Sequence, residues 1–352
     1  MVKEKNRILS YDVLRIIAIV MVVMVHVSGT YMVNSPPRSA DFTWGTLCNS
    51  ISRIGVNLFV MLSGALLLNE DKEVDGASMV RRVVKTAGLL VAWSGFYAVV
   101  FRLLIPLAGH RPVDLGDFVR GFLRGHYHLW FLYMVLGLYL ITPILRLWVR
   151  RENSRYVLYF IGLSAVFRFL VPPVSFLMGR FLGNDTLIRE VADNFRMEFV
   201  SPMVTFYLLG WYLSTRELRH RGWLYGLGLG GLLLSQLGTW VFTTEEVKAC
   251  RVLLEEDSIL LLAYSGALFV LVRSLLQGRE LPRARSWIIR LSQGAFGVYA
   301  VHEAVRQLLL HWGFEGLPGS TILLQWAAVT VISYAVTLTA SHIPGIRHLF
   351  RF

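Results

Sequence analysis

Two side chains in the first apolar stretch are of types that do chemistry, and both stand where charge is costly. They are Arg15 and His26, separated by ten residues in DVLRIIAIVMVVMVH. On a helix, eleven steps make three turns plus roughly 20°, so the two side chains share a face about 16 Å apart along the axis. An arginine can hold a phosphate or carboxylate through its planar fork. A histidine, with an ordinary pKa of about 6.5, can take a proton from a hydroxyl. The spacing therefore suggests an anion held near one end of the helix and proton transfer deeper in. A plainer alternative also fits: Arg15 snorkels to the interface or pairs with Asp12 three residues back, and His26 is an interfacial histidine.

Further ionisable groups lie in apolar surroundings, where each is a functional candidate by default. Arg53 precedes GVNLFVMLSG (55–64) and needs a carboxylate, a carbonyl or a ligand phosphate. GHYHLWFLYMVLGLYLITP opens with His126 and His128 beside Tyr127, Trp130 and Tyr133. Those aromatics suit an interfacial belt, and His128, Trp130 and Tyr133 equally suit a sugar platform that stacks and donates hydrogen bonds. Histidines two apart do not share a helix face and no HExxH occurs, so no metal is expected. LSQGAFGVYAVHEAVRQLL brings His302, Glu303 and Arg306. Glu303 and Arg306, three apart, either neutralise each other or bind an acceptor, while His302 points elsewhere and is the second candidate for an active-site group.

The elements that position these groups follow from composition. Of 352 residues, 55% are hydrophobic and 16% charged, and stretches long enough to cross a bilayer recur throughout. Lipid leaves no partner for open backbone groups, so the stretches must be helices. Ten are expected, at about 8–30, 44–69, 83–107, 127–149, 156–178, 197–214, 223–243, 257–277, 288–311 and 320–342. Pro172 and Pro173 should break the fifth near its end. The expectation is an all-α polytopic bundle forming one integral-membrane domain over 1–352.

The net charge of +12 is not a nucleic-acid signature, because Lys and Arg gather in alternate loops and form no single patch. One set of loops, including Lys3, Lys5, Arg146 to Arg155, Arg216 to Arg221, Arg273 to Arg290 and Arg351, holds 21 basic residues; the opposite set, including Lys248, holds 9. The positive-inside rule then puts both termini in the cytoplasm and the acidic run from Glu245 to Asp257 outside. Asp12 and Arg15 interrupt the first apolar run, which reads as a retained span and not as a cleaved signal. Two cysteines, Cys48 and Cys250, exclude a thiolate metal site and are expected to be unpaired buried thiols. Glycines at 226, 228, 230, 231 and 238 suggest close helix packing, since no strand precedes them and no Lys follows to make a phosphate loop.

Taken together, Arg15 with His26, GVNLFVMLSG, HLWFL at 128–132 and GVYAVH at 297–302, in that order, resemble the membrane acyltransferase family 3 of bacterial O-acyltransferases. The resemblance runs from about residue 9 to residue 345. It implies transfer of an acyl group, acetyl or a related one, from acyl-CoA to a hydroxyl of an envelope glycan or lipid-linked sugar. It also implies a multi-pass protein of the bacterial inner membrane, with no tightly bound cofactor. His26 would be the proton acceptor and Arg15 essential. The residues themselves add Arg53, Arg81 and Arg82 as candidate donor contacts and His128, Trp130, Tyr133, His302 and Glu303 as candidate acceptor contacts. Relatives more often carry Pro or a small apolar residue where Glu303 stands. The rival from another class is a transporter or flippase of lipid-linked sugar, in which the same residues line a path without bond making.

Overall fold

The computed structural model describes residues 7–184, 186–218, 220–245 and 250–350. Among the described residues all regular structure is helical. Lys3, Lys5, Arg219, Glu246, Lys248 and Arg351 from the charge reading lie outside them.

Helices α1 (Leu9–Asn34), α2 (Ala40–Ser52), α3 (Gly55–Leu67), α4 (Gly76–Ala98) and α5 (Ile105–Ala108) come first. They are followed by α6 (Leu115–Arg124), α7 (Trp130–Trp148), α8 (Ser154–Ser164), α9 (Val171–Leu182) and α10 (Leu187–Asp193). The last are α11 (Pro202–Thr215), α12 (Gly222–Phe242), α13 (Ile259–Leu276), α14 (Pro282–Leu309) and α15 (Ile322–Ala340). Starts are marked by capping chemistry: Ser39 accepts from Phe42 N at 3.2 Å and Asp75 from Ser78 N at 2.9 Å, while Pro202 and Pro282 open α11 and α14.

Among the described residues eight segments are long and apolar enough to cross a membrane. Two of the ten expected spans fall short by that measure for separate reasons. Helix α11 has 14 residues, about 21 Å of rise against a hydrocarbon core of roughly 30 Å. Helix α14 has the length, 28 residues, but is rich in polar and charged side chains. Both are packed inside the bundle, α11 against α3 and α14 against α1 and α15. On the outer faces, side chains such as Leu147 (74%) and Leu182 (72%) stand exposed, as a lipid-facing surface requires.

Pro172 and Pro173 do not end their segment. A π-helical stretch, Ala165–Leu170, follows α8, and the two prolines occupy the first turn of α9. The wider π turn just before them makes room for the proline rings at the cost of ladder bonds, so the apolar run continues to Leu182.

Helix α1 is central, contacting α2, α3, α13, α14 and α15. Its Leu14 and Ala18 join a core with α3, α11 and α13, whereas Ile19, Val22 and Val23 join a second core with α4, α7, α14 and α15. Buried asparagines crosslink the helices within it: Asn49 donates to Val25 O at 3.1 Å and Asn57 to Ser265 Oγ at 3.2 Å. Each contributes roughly 0.6 kcal/mol in a membrane bundle, so they orient helices more than they hold them. Several glycines of α12 do admit close packing: a methyl at Gly228 would meet Ala267, and one at Gly231 would meet the Leu260 carbonyl. Gly226 and Gly230 face open space.

The loops grouped by charge meet at common ends. Arg146 donates to the carbonyls of Leu67 (2.6 Å) and Lys72 (2.8 Å), Arg151 pairs with Asp71 at 2.6 Å, and Arg216 reaches Arg151 O at 3.0 Å. At the opposite end Asp41 accepts from Gly319 N at 2.7 Å and Tyr31 donates to Leu317 O at 2.9 Å. Cys48 and Cys250 are both buried and unpaired.

Candidate active site

Three chain segments converge between the arginine-rich end and its opposite. Helix α1 brings His26, the entry to α7 brings His126 to His128, and α14 brings Tyr299, His302, Glu303 and Arg306. The α7 entry is not a regular helix. Gly125 adopts φ +70°, a left-handed conformation open to glycine, His126 is extended, and Tyr127–Leu129 form a single 3₁₀ turn. As a result the rings of His126 and His128 do meet, with Nδ1 atoms 2.9 Å apart, which corrects the expectation drawn from α-helical spacing.

The hydrogen-bond pattern fixes which nitrogens are free. A backbone carbonyl only accepts, so the 2.7 Å contact between His302 Nδ1 and Tyr299 O places the proton on Nδ1 and leaves the Nε2 lone pair bare. That Nε2 is buried and has no partner among the described residues. Tyr127 has one proton, and it donates it to Glu303 Oε2 at 2.7 Å. Toward His26 the phenol oxygen is therefore an acceptor, and Nδ1 of His26, 3.3 Å away, carries the hydrogen. His26 too presents an unprotonated Nε2. The rings of His26 and His302 lie 5.0 Å apart between centroids.

Glu303 is fully buried but not uncompensated. Arg306 grips it bidentately, Nε to Oε2 and Nη2 to Oε1 both at 2.8 Å, and Gln307 adds a bond to Oε1 at 2.7 Å. The pairing of Glu303 with Arg306 is thus real, yet the carboxylate still accepts from Tyr127. A chain runs from His26 through Tyr127 to a carboxylate, the arrangement that orients an imidazole and stabilises its protonated form. Tyr299 donates to His128 O at 2.7 Å, and Tyr97 donates to Ala300 O at 2.9 Å while its ring stacks on His126.

Of the residues anticipated from sequence, His26, His128, His302 and Glu303 come together here. Trp130 and Tyr133 do not: both are more than two-fifths exposed, and the Tyr133 hydroxyl is taken by Leu123 O. Arg15 lies toward the arginine-rich end. Its Nη1 donates to Ser292 Oγ at 2.8 Å and to Asp12 at 3.1 Å, and Asp12 is also gripped by Arg7 at 2.6 Å. Arg53 occupies the break between α2 and α3, its Nε on Leu254 O at 2.7 Å and its Nη2 3.5 Å from Glu255. Burial raises the Glu255 carboxyl above its usual range, with Arg53 pulling the other way. Arg81 and Arg82 are exposed on α4. Arg306, weighed from sequence only together with Glu303, and Tyr127, weighed only among the aromatics at the α7 entry, both belong to the site, and Tyr97 enters it without having been singled out.

Two cavities lie beyond the cluster. One of about 310 Å³, at the end opposite the arginines, is lined by Thr30, Tyr31, Asp41, Arg306, Phe314 and Gln325 among others. A larger one, about 640 Å³, opens at the arginine-rich end beside Arg7 and Tyr11. Among the described residues no group of three or more His, Cys, Asp or Glu is placed to hold a metal ion.

The sequence model of one family, described as an acyltransferase domain and designated family 3, matches residues 8–342. No curated protein and no solved structure matches the chain.

Proposed function

The chain belongs to acyltransferase family 3, and from that premise we propose that it moves an acyl group, acetyl foremost, from acyl-CoA to a hydroxyl of a cell-envelope carbohydrate. Acyl transfer itself follows from membership, and the eight apolar spans make it a multi-pass membrane enzyme. The proposal adds the donor, the acceptor, the bacterial inner membrane and a cytoplasmic arginine-rich end. Membership also weighs against carriage of a lipid-linked sugar without bond making.

The observation that carries the mechanism is the hydrogen-bonded run from His26 through Tyr127 to Glu303. In this reading Nε2 of His26 removes the proton from the acceptor hydroxyl as its oxygen attacks the thioester carbonyl carbon. The imidazolium that forms faces the Glu303 charge through Tyr127, so the cost of protonating a histidine in apolar surroundings is reduced. Collapse of the tetrahedral intermediate breaks the carbon–sulfur bond. The departing thiolate takes the proton back from His26, giving the ester and free CoA thiol. A neighbouring hydroxyl of the same sugar donates to the bare Nε2 of His302, which positions the acceptor beside His26.

The positive bias of the inner loops favours entry of an anionic donor from that side, with Arg15 on its path. The smaller cavity, with hydroxyl, amide and carboxylate groups and the Phe314 ring, is suited to a polyhydroxylated acceptor from the other side.

The test is transfer of labelled acetyl from acetyl-CoA in membranes containing the protein and an extract of host envelope glycans. Label in carbohydrate with wild type and none with His26→Ala supports the assignment. Absence of transfer across a range of acyl donors and glycans, with the protein folded, counts against donor and acceptor alike. Undiminished transfer by the variant keeps the enzyme and removes His26 as the base.

A further inference from the structure

The 640 Å³ cavity at the arginine-rich end is lined by seven arginines, and their commitments differ. Arg7 and Arg151 are spent on Asp12 and Asp71. The other five, Arg216, Arg221, Arg273, Arg279 and Arg285, have no carboxylate within ion-pair distance among the described residues. The acidic groups in the lining are few: Asp71, already paired, Glu217 and Glu280.

An excess of arginine at this end is what the positive-inside rule requires, but the rule asks only for charge and is indifferent to shape. Here the charge is concave and partly fixed. Arg273 is half-buried with its guanidinium on the carbonyls of Leu213 and Ser214, and Arg216 is held by Arg151 O and Ser154 Oγ. Carbonyls and hydroxyls orient a guanidinium without cancelling its charge. Arg283 and Arg285 moreover sit in the first turn of α14 and Arg279 just before it, where the helix dipole disfavours cations. Fold stability does not explain them there.

A polar basin with five uncancelled forks matches a ligand carrying several phosphate oxygens close together. The basin also joins the reaction path: Arg7 lies in its wall and shares Asp12 with Arg15. From Tyr11, in the same wall, fifteen residues of α1 lead to His26, a rise of about 22 Å. The ligand's phosphates and its reactive end must then be separated by a long arm.

The geometry points to this basin as the docking site for the phosphates of the acyl donor, with Arg279 and Arg285 as unshielded contacts. Arg81 and Arg82, outside the lining, have no part in it. The inference rests on the reading of the donor as an acyl-CoA.

The test is the dissociation constant of CoA for the purified full-length protein in neutral detergent, comparing wild type with Arg279→Gln/Arg285→Gln. Neither guanidinium makes a hydrogen bond within the described residues, so the fold should be unaffected. CoA binding is expected to weaken about tenfold or more, the scale of lost charge-assisted bonds, while pantetheine, which has no phosphates, binds wild type and variant alike. Equal CoA affinity for both proteins overturns the basin and leaves the donor reading intact. A wild type that binds no CoA overturns the donor reading and the basin with it. If adding phosphatidylglycerol to the micelles abolishes the difference between wild type and variant, the basin belongs to lipid headgroups and the inference falls.

Discussion

The phenol of Tyr127 donates to the Glu303 carboxylate at 2.7 Å across 176 residues of sequence, and that one bond determines which way the proton on His26 points. With the phenol proton committed, His26 must donate through Nδ1 and present Nε2 to substrate. Phenylalanine at position 127 keeps the ring and removes both bonds. Tyr127→Phe should fold normally and lower kcat on the order of 10- to 100-fold, the range carried by partners that orient a functional histidine elsewhere, with the donor KM little changed. Steady-state transfer kinetics would show it, and an unaltered kcat would remove Tyr127 from the relay.

Glu303 with Arg306 has a structural reading that needs its own test. Removing one partner of a buried pair costs roughly 3–5 kcal/mol, while replacing both by apolar groups of similar volume is close to neutral. Glu303→Leu alone should therefore fold poorly, and Glu303→Leu/Arg306→Leu should recover most of its thermal stability in detergent. The structural reading predicts that the double variant transfers acyl groups normally. The relay predicts a folded protein with transfer reduced about 10²-fold or more.

Much of this architecture was legible in the chain. Hydropathy located the helices, and charged side chains inside apolar runs pointed to His26, His302 and Glu303, because only function or pairing justifies ionisable groups there. What was not legible was tertiary. Periodicity carries no information about a 3₁₀ turn at Tyr127–Leu129, so the meeting of His126 and His128 could not be foreseen. Tyr97 lies in α4, in a stretch with no motif, yet stacks on His126. The five uncancelled arginines come from two separate loops and the helices flanking them, and only the fold shows that they share one cavity.

Arg15 shares Asp12 with Arg7 and rests on Ser292 through Nη1, so the rest of its fork is open to a ligand. Arg15→Ala should raise the KM for acetyl-CoA about tenfold or more, in line with loss of one charge-assisted contact. Arg15→Lys, which keeps the charge but not the planar fork, should recover only part of it. Equal donor affinity for wild type and Arg15→Ala would mean that Arg15 merely neutralises Asp12.

The crossing of α3 and α11 supports one side of α1, and it depends on absent side chains. A methyl built at Gly210 falls on the Met61 carbonyl and one at Gly64 on the Tyr207 carbonyl, so at both points backbone meets backbone. Even Gly210→Ala must push the helices apart, because a carbonyl in a packed helix cannot rotate aside as a side chain can. The cost should be about 1–3 kcal/mol, read as a lower unfolding midpoint in detergent. Gly226→Ala and Gly230→Ala on α12 face open space and should be neutral or stabilising by up to about 1 kcal/mol through helix propensity. A drop of similar size at all three positions would mean that glycine matters here for flexibility, and that the close crossing of α3 and α11 does not govern stability.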